Sequence, residues 1–495
     1  MKKVNLIALI LALVFAAPGC EKIEQPQEED PIEVPEDPED PVDPEDPEDP
    51  EDPEDPEDPA EVSYLVEVTD VKSMNEEEFT QYMSECLSSY LDEETFNTVF
   101  NLLYVPRIQS LQNTMTIENG LRKTELKMDL YHFLYNSLDA LGNPIVLSGT
   151  AIIPGFDSDK NATHYIDDIT LYHQYWVLYN NCPSIAGSPE LIRASFNQMV
   201  VMSDFQGYGH TDGVPHPFLC YNSLARQSID CELAAIELLE QTSSKLARGY
   251  QTYNMAMSKG APVALAAAKL LQTSEPEDVT DKINLKCSYC CSGPYNLLGT
   301  LDGYMADANA SNIWMACMIA VSAYYGCPEI NANYNLEDFF TDKFNSARYK
   351  DMSITDLLLS RTEYGGQMNT ALANNDITTV YEILNPRFFN SEGERSSEDP
   401  LAKLFYDYLE SQNALTGWPP LTPILFEHSD SDEVVPYEVT HAGIIELKYL
   451  GFIANPNILE NTYPDFDHET MSTLGMVRMA ILENPTVEVL TNTLL

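Results

Sequence analysis

The chain is short of positive charge: 26 lysines and arginines stand against 79 aspartates and glutamates in 495 residues, a formal net charge of −53. So little positive charge argues against nucleic acid or an anionic membrane surface as a partner. Long apolar runs are equally scarce. The one candidate, Val4–Ala17 behind Met1-Lys2-Lys3, is too short to span a bilayer and reads as a signal peptide. No strand-rich repeat of roughly 40–50 residues precedes residue 125, which argues against a β-propeller. Beyond Cys20 the cysteines number nine, so at least one thiol has no partner within the chain. Cys287-x-x-Cys290-Cys291 lacks a matching histidine or cysteine pair nearby and falls on the strand-like run Ile283–Cys291. It is read as buried small side chains rather than a zinc site, and no metal or organic cofactor is expected.

What the first sixty residues do contain is informative. Ala17-Pro18-Gly19-Cys20 resembles a bacterial lipobox, so 1–19 is read as a lipoprotein signal and Cys20 as a lipid anchor, outer membrane and extracytoplasmic; cleavage to a free secreted protein is the alternative. Residues 20–61 are dominated by Glu-Asp-Pro repeats. Dense like charge and frequent proline prevent collapse, so this stretch reads as a disordered tether, able to span about 120 Å at the polyproline II rise. With signal and tether set aside, residues 63–495 still carry a net charge of −34. That suits a neutral or cationic substrate.

The rest divides into an N-terminal extension (62–124), a core in two pieces (125–292 and 421–495) and an insertion (293–420). The extension reads as a strand at Tyr64–Val68 and helices at Asn75–Tyr90 and Glu93–Leu103. Leu126–Tyr135 and Ile145–Ile153 read as an antiparallel pair. Strands Ile169–His173, Met199–Ser203 and Tyr253–Met257 then alternate with helices Asn222–Gln241 and Ala261–Leu271. That rhythm predicts an α/β fold, a mostly parallel sheet with helices on both faces. In the insertion, helical patches at Ile313–Ala323, Ser353–Leu359, Thr378–Leu384 and Pro400–Ser411 predict a helical cap; an inert scaffold is the alternative.

Chemistry concentrates at three places. Asn254-Met255-Ala256-Met257-Ser258-Lys259-Gly260-Ala261-Pro262 runs from strand into helix through a serine flanked by small residues, the pattern of a nucleophile elbow. Pro423–Pro436 is a short apolar strand entering an acid-rich turn that holds Asp430 and Asp432. Asp465-Phe466-Asp467-His468-Glu469-Thr470 places His468 in a polar loop before a helix. The order serine, acid, histidine is the order of α/β-hydrolases.

On these residues the chain resembles an α/β-hydrolase of the secreted lipase and esterase type, with similarity also to prolyl-oligopeptidase-like domains, over roughly 125–485. His428-Ser429-Asp430-Ser431-Asp432-Glu433-Val434-Val435-Pro436 resembles the family's HG-x-x-D-x-x-VP stretch, which favours Asp432 over Asp430. Asp204-Phe205-Gln206-Gly207-Tyr208-Gly209 resembles its D-x-x-G-x-G turn, and Ser292–Leu297 resembles a further core turn. Leu171–Tyr175 sits where the family carries its oxyanion loop. Ala256, Ser429 and Gln174 each replace a family glycine. The resemblance implies a Ser258–Asp432–His468 triad, an oxyanion hole from the backbone of Lys259 with Gln174 or Tyr175, and His173, Tyr208 and His210 beside the pocket, with His216 also nearby. It implies hydrolysis of a small-molecule or polysaccharide-borne ester without a cofactor. A serine peptidase and an inactive surface binding protein are the alternatives.

Overall fold

The computed structural model describes residues 63–88, 93–106, 108–109, 125–157, 164–172, 189–196, 198–242, 244–306, 313–360, 364–450 and 455–481. The stretches read as signal and tether, with Cys20, lie outside them. Nine strands form one sheet: β1 (Leu65–Met74), β2 (Glu125–Leu138), β3 (Pro144–Asp157), β4 (His164–Tyr172), β5 (Gln198–Ser203), β6 (Ser244–Met257), β7 (Leu285–Cys291), β8 (Ile424–Ser429) and β9 (Ile458–Tyr463). Their spatial order is β1-β2-β3-β5-β4-β6-β7-β8-β9. The first three strands and the β3–β5 junction are antiparallel, and from β5 to β9 every pairing is parallel. Parallel strands buried on both faces need near-continuous apolar runs, and β5 (QMVVMS) and β8 (ILFEHS) are buried at every position.

Helices cover both faces. Alternation along β6 sends Met255 and Met257 to one side, where they join Phe79, Met83 and Leu87 of α1 (Glu76–Ser88) and Met471, Leu474 and Val477 near the C-terminus. Ala256 faces the other side, against Ala261, Ala264, Leu265 and Ala268 of α4 (Gly260–Thr273). That helix is rich in alanine, which favours helix and lets it approach the sheet closely. α2 (Glu93–Val99) follows α1, α3 (Tyr221–Glu240) packs beside α4, and α5 (Glu277–Ile283) precedes β7. Ile283 thus ends a helix; Asn284, with φ of 49°, turns the chain, and the strand starts at Leu285 rather than Ile283.

The extension is more deeply built in than an appended element. β1 pairs along β2 and runs on to Met74, and α1 shares an apolar cluster with the central strands. Between β7 and β8 lie α6 (Leu297–Ala306), α7 (Met315–Gly326), α8 (Tyr364–Asn374) and α9 (Pro400–Ser411), with shorter helices among them. Asp399 caps α9 by accepting from the N–H groups of Leu401 and Ala402, and Pro400 begins it. α6 and α8 escaped the sequence reading because Gly299 and Gly303 in one and Gly365 and Gly366 in the other weaken the helical signal, although their buried residues do share a face, Leu297, Leu301 and Tyr304 in α6 and Met368, Ala371 and Leu372 in α8. The stretch also has its own aromatic core, with Phe339, Phe388 and Phe405 in mutual contact. α10 (Tyr437–Lys448) and α11 (His468–Ile481) follow β8 and β9.

Candidate active site

The strand β6 ends at Met257 and α4 begins at Gly260, leaving Ser258 and Lys259 to make the whole turn. Ser258 takes φ of 49°, the left-handed region that a non-glycine residue adopts at a cost of order 1 kcal/mol. Two hydrogen bonds hold it there. Its N–H donates to the Cys291 carbonyl at 2.8 Å, and its own carbonyl accepts from the Ala261 N–H at 3.1 Å. The Lys259 N–H donates to no acceptor among the described residues, which leaves it available to a nascent oxyanion. Ala256 stands where glycine is usual, and its methyl is accommodated in the buried cluster with Cys290 and Ala261. Gly293 supplies the close approach instead: a side chain there would meet Ala261 and Pro262 within 2.8 Å.

Asp432 and His468 come to this elbow from 174 and 210 residues downstream. Ser258 Oγ donates to His468 Nε2 at 2.9 Å, and His468 Nδ1 donates to Asp432 Oδ2 at 2.8 Å. A carboxylate only accepts, so the Nδ1 proton fixes the tautomer and leaves the Nε2 lone pair toward the serine. The other Asp432 oxygen accepts from the N–H groups of Val434 and Val435 at 2.9 and 2.8 Å. Burial opposes ionisation of Asp432, but the His468 charge and the hydrogen bonds outweigh it and hold the carboxyl below its ordinary range. Burial likewise works against protonation of His468, and the Asp432, Glu433 and Asp467 carboxylates overcome it, so its pKa is raised.

His468 is the first residue of α11, not a loop residue. Asp467 precedes the helix and accepts from the Thr470 N–H at 3.0 Å, while Glu433 from the acid turn accepts the His468 N–H at 3.0 Å. Asp430, the rival acid, turns outward and accepts from the Asp465 N–H at 3.3 Å, tying the acid turn to the histidine turn. Ser429 uses the hydroxyl that glycine lacks for the same purpose, accepting from the Ser431 and Phe466 N–H groups at 3.1 and 3.2 Å. His428 is buried with Nε2 3.3 Å from Asp432 Oδ2, too poorly aligned to hydrogen-bond, and Tyr437 lies edge-on to it.

Below the acid turn lies a network that the sequence reading missed. Glu427 and Arg478, 1% and 5% exposed, form an ion pair in which Nε and Nη2 reach Oε1 at 3.1 and 3.0 Å. Tyr463 and Asn461 donate to the same oxygen, and Tyr289 donates to Oε2 at 2.7 Å. The network joins β7, β8, β9 and α11. A glutamate inside an apolar strand run was its one sequence signal.

Of the other expected residues, His173, Gln174 and Tyr175 lie outside the described residues. Tyr208 is buried and sits edge-on to His216, ring centroids 4.8 Å apart. His210 is exposed, and its backbone N–H donates to Ser148 Oγ, so the structure gives its ring no hydrogen bond to the triad. Gly209 in that turn is required by space as well as by its φ of 54°: a Cβ would lie 2.0 Å from Ser148 Oγ. Seven of the eight described cysteines are buried.

No protein-family model and no curated protein matches the sequence. Solved structures do match in shape. A candidate hydrolase from Legionella pneumophila superposes with a TM-score of 0.60 at 16% identity, over 85% of this chain and 98% of that one. The rice cell wall degrading esterase LipA from Xanthomonas oryzae gives 0.54 at 19% identity, over 77% and 95%. Candida antarctica lipase A in its closed state gives 0.50 at 16%, over 74% and 78%. Together with a largely parallel sheet clothed in helices and an elbow between β6 and α4, these likenesses identify the architecture of this chain as the α/β-hydrolase fold.

Proposed function

We propose that the protein is a serine hydrolase that cleaves carboxylic esters through an acyl-enzyme. The observation that carries this reading is the continuous hydrogen-bonded line Ser258–His468–Asp432, mounted on a strained elbow. Ser258 Oγ attacks the ester carbonyl as His468 Nε2 takes its proton, and Asp432 stabilises the imidazolium that forms. The Lys259 N–H, joined by a donor from the Gln174–Tyr175 stretch, stabilises the oxyanion, each donor contributing on the order of 3 kcal/mol. His468 returns the proton to the departing alcohol. Water then enters by the same route and releases the acid.

Two glycine replacements support a working site rather than an eroded one. The Ala256 methyl is packed, and the Ser429 hydroxyl joins the two turns that carry the acid and the histidine. For substrate, the acidic surface fits a neutral ester, small or borne on a polysaccharide, and the shape shared with a cell wall degrading esterase is consistent with the second. We place the enzyme outside the cytoplasm, held by a lipid on Cys20 at the end of an acidic tether.

Hydrolysis of p-nitrophenyl acyl esters of graded chain length by residues 62–495, beside Ser258→Ala, tests the chemistry. Turnover that disappears in the variant is the expected result. Turnover of dipeptide substrates instead of esters would move the assignment to a peptidase, and the absence of both turnover and fluorophosphonate labelling would move it to a binding protein.

A further inference from the structure

The Lys259 side chain does not reach solvent. It is 5% exposed, and Nζ lies 2.6 Å from His216 Nε2. His216 is 1% exposed, and its Nδ1 lies 2.6 Å from the Gln206 carbonyl. A carbonyl only accepts, so Nδ1 carries a proton in every state of the ring. Nε2 and Nζ therefore have a single hydrogen bond to make between them. Two full cations at that separation in a buried site would repel strongly, so the pair holds at most one positive charge, on the ammonium or on the imidazolium.

This pair joins pieces that the sequence keeps apart. Gln206 belongs to the turn after β5, and its N–H donates to Gln227 Oε1 on α3 while its own side chain accepts from the Ala140 N–H. His216 is gripped between the rings of Tyr208 and Phe218, at 4.8 and 5.1 Å, and a side chain on Gly207 would strike its backbone at 2.8 Å. The imidazole is thus fixed, and through Nζ it fixes the residue that follows the nucleophile.

Resting on the Ser258 hydrolase reading, we propose that Lys259 and His216 form a one-proton cationic pair that positions the Lys259 backbone N–H for the oxyanion and favours the oxyanion by its charge. Lys259 is here a positioning residue through its side chain, distinct from the role of its N–H. Among titratable groups, the Tyr208 phenol lies beside His216 and the Cys220 thiol beside Lys259. Cys220 receives the Tyr408 hydroxyl, donates to the Ser322 carbonyl and lies near Cys327. Burial pushes the thiol up to about 12, so it stays neutral, and no carboxylate among the described residues reaches Nζ. Burial also pushes the Lys259 ammonium down to about 7, which puts loss of the shared proton within the working range of pH.

The test is the pH dependence of kcat on a p-nitrophenyl ester, with the rate of fluorophosphonate labelling of Ser258 measured in parallel. In the unsubstituted protein both should rise as His468 loses its proton and fall again as the pair loses its own. Lys259→Met keeps the backbone N–H and removes the charge. It should lower kcat by roughly 10- to 100-fold, less than deleting an oxyanion donor outright, with KM within about threefold and the alkaline fall gone. Lys259→Arg should restore most of kcat and carry no alkaline fall below pH 10, because a guanidinium does not titrate there. Lys259→Met with unchanged kcat and pH profile, while Ser258→Ala is dead, overturns the pair and leaves the hydrolase standing. Ser258→Ala with full turnover, or no labelling of the unsubstituted protein at any pH, overturns both. Should Lys259→Met fail to fold, the labelling profile of the unsubstituted protein decides alone: a rate that stays level from pH 7 to 10 refutes the proposal.

Discussion

The two sides of the candidate site are held by different physics. On the serine side, Ser258 is set by backbone: a left-handed residue between a strand and a helix, two main-chain hydrogen bonds, and small neighbours that let α4 close on the sheet. On the acid and histidine side, geometry comes from side chains. Glu433 and Asp467 cap α11, Ser429 bridges two turns, and a buried Glu427–Arg478 pair fastens that helix to β8. Backbone architecture leaves a compact local signature. Side-chain networks scattered over fifty residues do not.

Several substitutions would sharpen that contrast. The largest effect belongs to the proposed nucleophile: Ser258→Ala should lower kcat by at least about 10⁴-fold with little change in melting temperature, because it removes an oxygen and leaves the turn intact. Asp432→Asn should cost about 10⁴-fold in kcat by inverting the His468 tautomer, whereas Asp430→Asn should stay within about threefold. Equal losses at the two positions would break the assignment of the acid. Arg478→Met leaves the Glu427 carboxylate buried without its cation and should destabilise the fold by about 3–5 kcal/mol in denaturant titration. Paired with Glu427→Leu, much of that loss should return.

Two smaller effects depend on pH. His468 has a raised pKa, so kcat/KM should fall on acidification with a midpoint above 6.5 rather than below it. Glu232 on α3 is fully buried, and burial pushes its carboxyl up to about 8, with the Thr252 hydroxyl opposing slightly. The unfolded chain releases that proton near its ordinary value and the folded one retains it. Stability should therefore decline as pH rises between about 4.5 and 8, by about 3 kcal/mol at pH 7, and Glu232→Gln should flatten the slope.

Much of the framework was legible from local pattern. The buried runs of β5 and β8, the alanine-rich α4 and the Pro400 start of α9 announce themselves by composition and spacing. Asp432 could be told from Asp430 by its distance to Val435-Pro436, and the structure gives it the contact with His468. Less was visible where tertiary contacts decide. β1 continues to Met74 only because β2 is there to pair with it, and His468 starts a helix because Glu433, distant in sequence, receives its N–H. The role of Ser429 was hidden for the same reason. As a missing glycine it looked like a loss, and in space it is a bridge.

Placing the histidine on the first turn of the last described helix has a consequence for how such a molecule fails. α11 holds one member of the proposed triad but no strand of the sheet, and opening a single helix costs less than melting a nine-stranded core. Local opening of α11 would separate His468 from Ser258 while the elbow, its strain and its hydrogen bonds persisted. Heat should then silence the proposed hydrolysis before the protein unfolds, and do so reversibly, with amide exchange appearing in α11 ahead of β6. The working lifetime of the proposed activity would be governed by the Glu427–Arg478 fastening more than by the sheet.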